Sequence, residues 1–126
     1  MQTQVQTPAP TASPACTNNL TYLQDLSIPD GSQVATGSML DKRWKVRNSG
    51  TCNWDDNYQI KLVDGNELGA KEQSLYPARS GTELTIQIIF TAPNEPGTYQ
   101  SAWQAYDPQG NPFGDLFYIQ IVTQNP

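Results

Sequence analysis

The sequence predicts an all-β protein folded as an antiparallel β-sandwich. Apolar and polar residues alternate with a period of two along most of the chain, as in strands that have one face in a core and one in water. Turn-forming residues interrupt these segments roughly every 8–12 residues. No apolar stripe of helical period continues for three turns. Together these observations indicate roughly six to eight short strands in two layers.

The alternating segments follow one another along the chain and identify the predicted core. Residues 20–28 form a weak strand, and residues 42–48 place Trp44 and Val46 on the face opposite Arg43, Lys45 and Arg47. Residues 58–62 form a half-buried strand. Three strong strands follow at residues 82–92, 98–106 and 117–122, with inward positions at Leu84, Ile86, Ile88, Phe90, Tyr99, Ser101, Trp103, Ala105, Phe117, Ile119 and Ile121.

Turn sequences separate the strands. Pro29-Asp30-Gly31 is a turn sequence, and Asp64-Gly65 predicts a two-residue hairpin. Asp107-Pro108-Gln109-Gly110 has the residue order of a type I turn and joins the strand of Trp103 to the last strand. Tyr99 follows Glu95-Pro96-Gly97 and is predicted to be a corner tyrosine that bonds back to the backbone.

Composition and charge exclude several classes of function. Lys and Arg number 7 against 12 Asp and Glu, so the net charge of −5 disfavours nucleic acid as a partner. The chain has no histidine, which removes Ser-His-Asp and Cys-His catalysis and every histidine metal site. No apolar run is long enough to insert directly into a membrane. We therefore predict no enzymatic activity, no catalytic residue, no metal and no cofactor.

The first residues and the two cysteines indicate a secreted protein. Residues 1–15 are rich in Thr and Pro, carry no charge, and are predicted to be a disordered linker before a single domain at residues 16–126. Cys16 and Cys52 are the only cysteines, and an even count in such a chain predicts one disulfide. A free nucleophilic Cys52 is the alternative, but the chain offers no suitable general base for it.

Two sequence segments resemble a known family. The residues RWKVRNSGTCNW at 43–54 resemble the W-R-x-R-N-x-G-x-x-x-W signature of the four-tryptophan (FW) domain. This is the central Ig-like domain of the "next to BRCA-one" autophagy receptor, and bacterial extracellular proteins also carry it. The residues APNEPGTYQSAWQ at 92–104 resemble a second family motif, and Phe113-Gly114 matches the family's end. The resemblance extends from about residue 19 to residue 123.

The resemblance implies an immunoglobulin-like sandwich of about seven to eight strands without catalytic activity. Trp44, Trp54 and Trp103 correspond to three of the four signature tryptophans. The fourth falls at Phe117, which strand parity favours, or at Tyr118, which spacing favours. The cysteine pair and the Thr/Pro-rich tail resemble the bacterial members. We therefore expect an extracellular or cell-surface bacterial protein, with lipid anchoring upstream as one mode of attachment.

Four aromatic residues are candidates for a binding surface, namely Trp54, Tyr58, Tyr106 and Tyr118. Our first hypothesis is a non-catalytic protein-interaction or spacer module with an unidentified protein partner. The alternative is a carbohydrate-binding module in which Trp54, Tyr58 and Tyr106 stack on sugar rings. Trp54 has two interpretations, a cap on the sandwich beside the disulfide or an exposed anchor for a partner.

Overall fold

The structure, a computed structural model, describes residues 15–126 and contains eight β-strands and no helix within that range. The all-β prediction is confirmed, and the strand count lies within the expected range. The linker predicted at residues 1–15 lies outside the described residues except for residue 15. The strands are β1 (Thr21–Asp25), β2 (Ser32–Ala35), β3 (Met39–Arg47), β4 (Gln59–Gly65), β5 (Gln73–Ser74), β6 (Glu83–Thr91), β7 (Gly97–Tyr106) and β8 (Pro112–Gln124).

The strands form two sheets that pack face to face. The smaller sheet has the order β1-β3-β6, and the larger has the order β2-β8-β7-β4-β5. Neighbouring strands run antiparallel, as predicted, with one exception. Strand β2 is parallel to β8, with Ser32 opposite Ile121. Among residues 15–126 there is no helix that is both long enough and apolar enough to cross a membrane.

The core lies between the two sheets and contains the residues that the alternation assigned to it. Trp44 packs edge-on against Phe117, with ring centroids 5.0 Å apart, and Phe90 packs against Trp103 at 5.9 Å. Aromatic side chains of this size dominate the free energy of burial in a small core. The fully buried members of this row are Trp44, Val46, Ile86, Ile88, Phe90, Trp103, Phe117, Ile119 and Ile121.

Two predicted turns form as expected. The backbone N–H of Gly110 donates to the Asp107 carbonyl at 2.9 Å, which closes the turn between β7 and β8. The Tyr99 hydroxyl donates to the Glu95 carbonyl at 3.0 Å, so Tyr99 is the predicted corner tyrosine. The hydroxyl of Thr123 donates to the same carbonyl at 2.7 Å and fixes the corner to β8.

The hairpin predicted at Asp64-Gly65 is wrong. Both residues belong to β4, which pairs with β7, and the chain returns as the short strand β5 only at Gln73. Gly65 has φ of 84°, and a Cβ atom there would collide with the carbonyl oxygen of Gln100. The glycine therefore permits a close approach between β4 and β7, where the register shifts, rather than a tight turn.

Candidate interaction surface

The family-signature residues are mainly structural. Trp44 and Trp103 are fully buried, and the Trp44 indole N–H donates to the Tyr118 carbonyl at 2.9 Å. Phe117 is fully buried, as strand parity predicts, whereas Tyr118 points outward and is 40% exposed. Trp44 therefore packs β3 against β8, and Tyr118 remains at the surface.

Trp54 and Tyr58 are not surface anchors, so that part of the predicted binding surface is wrong. Their side chains are only 3% and 5% exposed, and both rings pack against Phe113, with centroids 6.1 and 5.9 Å away. The backbone of Trp54 forms an isolated bridge with Ala78. The polar residues around Trp54 suggested exposure, but long-range contacts fold its ring inward and make it the cap of the sandwich.

The hydroxyl of Tyr58 gives a testable pH dependence. It donates to Asn18 at 2.7 Å, but burial and the negative charges of Asp55 and Asp107 raise its pKa above the ordinary value. The folded state therefore holds this proton more tightly than the unfolded chain. The resulting stability is fully present below the unfolded pKa of about 10 and is lost as the pH rises through the higher folded-state pKa.

We expect Tyr58→Phe to reduce the alkaline loss of stability. Urea unfolding of wild type and variant is compared at pH 7 and about one unit above the ordinary tyrosine pKa. The comparison at pH 7 is the control, because there it reports only the lost hydrogen bond, worth about 1 kcal/mol. An identical alkaline decrease in both proteins would contradict the assignment.

The predicted disulfide is present between Cys16 and Cys52, whose Cα atoms are 4.9 Å apart. Thr17, the residue after Cys16, is also hydrogen-bonded to the loop after β3. The N–H groups of Thr51 and Cys52 both donate to the Thr17 carbonyl, at 2.8 and 3.0 Å. Asn48 is buried and donates from its side chain to the carbonyls of Cys52 and Ala78. The bridge therefore fastens the start of the domain to one end of the sandwich.

The remaining candidate tyrosines do not form a row with Trp54 and Tyr58. Tyr106 is half-buried, and the ammonium group of Lys61 lies 5.0 Å from its ring centroid. Tyr106 is opposite Pro112 in the β7–β8 ladder, whereas Tyr118 is opposite Ala102 further along the same ladder. The sugar-stacking surface expected from Trp54, Tyr58 and Tyr106 is therefore not assembled, because two of its three rings are inside the domain.

A different group of residues forms a cavity at the surface. We call it the β1–β8 seam, and it has a volume of about 120 Å³. Three of its side chains are substantially exposed: Tyr22 at 37%, Leu116 at 45% and Tyr118 at 40%. Its lining residues are Tyr22, Asp25, Asp30, Leu116, Phe117 and Tyr118.

The strand connections explain why the seam is open. The N–H of Asp115 donates to the Leu20 carbonyl at 2.9 Å, and this contact joins the start of β8 to β1. Gly114 has φ of 78°, and a Cβ atom there would lie 2.7 Å from the backbone nitrogen of Leu20, so only glycine allows this approach. Pairing of β2 with β8 begins only at Ser32 and Ile121. The edge of β8 between these two contacts borders the cavity.

The seam is acidic and lies over a buried lysine that sequence reasoning did not single out. The ammonium group of Lys42 is fully buried, 3.2 Å from the Asp25 carboxylate, and donates to the carbonyls of Ser27 and Ile28 at 2.8 Å each. It also lies 5.5 Å from the centroid of the Trp44 ring. Lys42 has the same strand parity as Trp44 and lies on the inward face of β3.

Negative charge surrounds Tyr22 within the seam. The Asp115 carboxylate accepts a hydrogen bond from the Tyr22 backbone N–H at 2.9 Å. Burial, together with the charges of Asp25 and Asp30, raises the pKa of the Tyr22 phenol. Residues 15–126 contain no group of three or more acidic or cysteine side chains arranged to hold a metal ion. The groups that line this surface are carboxylates, phenol rings and the exposed side chain of Leu116.

Comparison with known proteins places the chain in a family. The model of the "Ig-like domain from next to BRCA1 gene" matches residues 27–123, which is most of the chain and includes both signature segments. The chain belongs to this family. This match confirms the immunoglobulin-like sandwich and the predicted resemblance to the Ig-like domain of NBR1-type proteins.

Relatives of the NBR1-type domain occur in plants and animals. The chain is 30% identical to the "Protein NBR1 homolog" of Arabidopsis thaliana over 105 residues, covering 79% of this chain and 15% of that protein. It is 29% identical to the human "Next to BRCA1 gene 1 protein" over 103 residues, covering 79% and 11%. It is 24% identical to "Protein ILRUN" of Danio rerio over 109 residues, covering 86% and 38%. The chain thus matches only a minor part of each relative.

A solved structure shares the fold at low sequence identity. The NMR structure of a CARDB domain from Pyrococcus furiosus superposes with a TM-score of 0.55 and 12% identity, covering 86% of this chain and 93% of that one. At this identity the likeness supports the β-sandwich fold alone.

Proposed function

We propose that this NBR1-type domain is a non-catalytic protein-interaction module of FW type, carried by an extracellular or cell-surface protein. The observation that carries the proposal is the β1–β8 seam, where Tyr22, Leu116 and Tyr118 remain exposed on a sandwich whose other large aromatics are mostly buried. Exposed aromatic and aliphatic side chains beside a cavity are typical anchors for a protein partner. The same domain could also act as a spacer, but a spacer role does not explain why these apolar side chains are exposed at the seam.

The disulfide and the composition of residues 1–15 support the location. A bridge such as Cys16–Cys52 is typical of proteins that fold in an oxidising compartment. The Thr/Pro-rich sequence before it resembles the spacers of bacterial extracellular proteins, and we propose a bacterial FW-type protein on this basis. Cell fractionation with protease treatment of intact cells tests the location, and a chain found only inside the cell with free thiols would contradict it.

Photo-crosslinking tests the interaction function. A photoreactive benzoylphenylalanine is placed at Leu116 in the full protein, within the cells that produce it, and a matched control carries it at Gln109 in the exposed turn between β7 and β8. We expect a discrete protein adduct from position 116 that is absent from position 109. Equal labelling at both positions would contradict a binding role for the seam. Retention on a glycan array that is lost in Tyr118→Ala would instead identify a carbohydrate-binding module.

A further inference from the structure

We propose that the β1–β8 seam receives an arginine side chain of the partner protein, with the guanidinium group held between Tyr22 and Tyr118 and facing Asp30. This inference rests on the proposed interaction function and specifies the chemistry that the partner presents. It follows from the lining residues, the charge and the backbone edge of the seam.

The side chains that line the seam favour a flat group on a long, partly apolar stem. In the cavity of about 120 Å³ the exposed apolar side chain is Leu116, and the exposed rings of Tyr22 and Tyr118 contribute to the same lining. A guanidinium group is planar and weakly hydrated, so it stacks on phenol rings, while its methylene stem packs on apolar side chains. An ammonium group is more strongly hydrated and cannot stack in this way.

The charge of the seam favours a cation. Asp25 and Asp30 line the cavity, and Asp115 lies directly beside Tyr22. The only positive group bonded to these carboxylates within residues 15–126 is Lys42, which is 3.2 Å from Asp25. Lys42 compensates Asp25, so Asp30 leaves an uncompensated negative charge in the lining, and Asp115 adds a second one nearby. The several N–H donors of a guanidinium group can bond to a carboxylate and still stack on a ring.

The backbone of β8 indicates recognition through a side chain rather than through strand addition. The Tyr118 carbonyl at the seam already accepts the Trp44 indole N–H at 2.9 Å. The Gln120 carbonyl accepts the N–H of Gly31 at 2.9 Å. An added strand would need such acceptors for its own N–H groups. A partner therefore approaches this edge with a side chain that enters the gap.

An NMR titration of the full chain tests the proposal. The probe is a blocked pentapeptide in which arginine is flanked by two glycines on each side, and the matched peptide carries the neutral isostere citrulline. We expect the arginine peptide to shift the amide signals of Tyr22, Leu116 and Tyr118, with a dissociation constant on the order of millimolar because a single side chain is bound. Citrulline removes the charge while keeping the shape, so it should cause no comparable shift.

Single substitutions test which side chains of the domain contribute to binding of the arginine peptide. We expect Asp30→Asn to weaken arginine binding by about five- to tenfold through loss of a charge-assisted contact, and Tyr118→Ala by about fivefold through loss of a stacking surface. Tyr118→Phe keeps the ring and should bind within about twofold of wild type. Glu67→Gln removes an exposed carboxylate in the loop after β4 and should have no effect. The unbound spectrum of each variant shows that it is folded.

The outcomes separate this inference from the proposed function. Shifts confined to the seam, lost with citrulline and reduced in Asp30→Asn, would support the arginine site. Equal shifts with citrulline, shifts elsewhere on the domain, or no shifts with excess peptide would overturn it. If such a negative titration accompanies a specific adduct from position 116, the interaction function stands and only the arginine assignment fails.

Discussion

Replacing Trp44 by alanine is expected to lower the free energy of unfolding by about 3–5 kcal/mol. The indole is fully buried between the sheets, with Phe117 at 5.0 Å and Phe90 at 6.3 Å between ring centroids. Its removal leaves a cavity that the rigid sandwich cannot fill. It also removes the indole N–H that donates a hydrogen bond to the Tyr118 carbonyl at 2.9 Å. Urea denaturation followed by circular dichroism measures the change.

A matched control lies on the same strand. Met39 is 77% exposed at the start of β3, and Met39→Ala should change stability by less than about 0.5 kcal/mol. If Trp44→Ala does not fold, Trp44→Phe keeps most of the ring volume and should still lose about 1 kcal/mol with the hydrogen bond to the Tyr118 carbonyl. A loss below about 1 kcal/mol in Trp44→Ala would show that the indole does not pack between the two sheets.

Removing the disulfide is expected to cost about 4 kcal/mol of unfolding free energy. Cys16 and Cys52 are 36 residues apart, so the bridge closes a substantial loop in the unfolded chain and reduces its conformational entropy. The double variant Cys16→Ala/Cys52→Ala is compared with wild type by urea denaturation without reductant.

The same bond can be broken chemically, which provides the control. Wild type measured with reductant should approach the stability of the double variant, and the double variant should not respond to reductant. A difference below about 1 kcal/mol between wild type and the double variant would contradict a constraining role for the bridge. Two alkylatable thiols in non-reduced protein would show that the bridge had not formed.

The strand faces could be predicted because they depend on local order in the sequence. In β3, β6 and β8 successive side chains point to opposite faces, so alternation alone distinguishes Trp44 from Arg43 and Phe117 from Tyr118. Lys42 shares the parity of Trp44 and is buried as well, but no lysine was predicted in the core. Burial of this charge is possible because the Asp25 carboxylate and the carbonyls of two residues after β1 all contact the ammonium group.

The binding surface could not be predicted in the same way. Trp54 lies outside the regular strands, so its burial depends on Ala78 and Phe113, which are distant in the sequence. The β1–β8 seam likewise depends on where β8 leaves its contact with Leu20 and where β2 begins to pair. Neither feature has a periodic signal. Two of the four aromatic residues predicted to form a binding surface, Trp54 and Tyr58, are therefore buried. Of the other two, only Tyr118 lies in the seam.

The sequence by itself determined the all-β class, the inward face of each strong strand, the disulfide and the family, because these follow from residue order and composition. Only the tertiary structure decided which strands are neighbours, that Trp54 and Tyr58 are buried, and that Tyr22 and Asp30 meet Tyr118 at one cavity. The physical reason is that a period of two fixes the side to which a residue points. The partner it meets there is selected by packing between segments that are far apart along the chain.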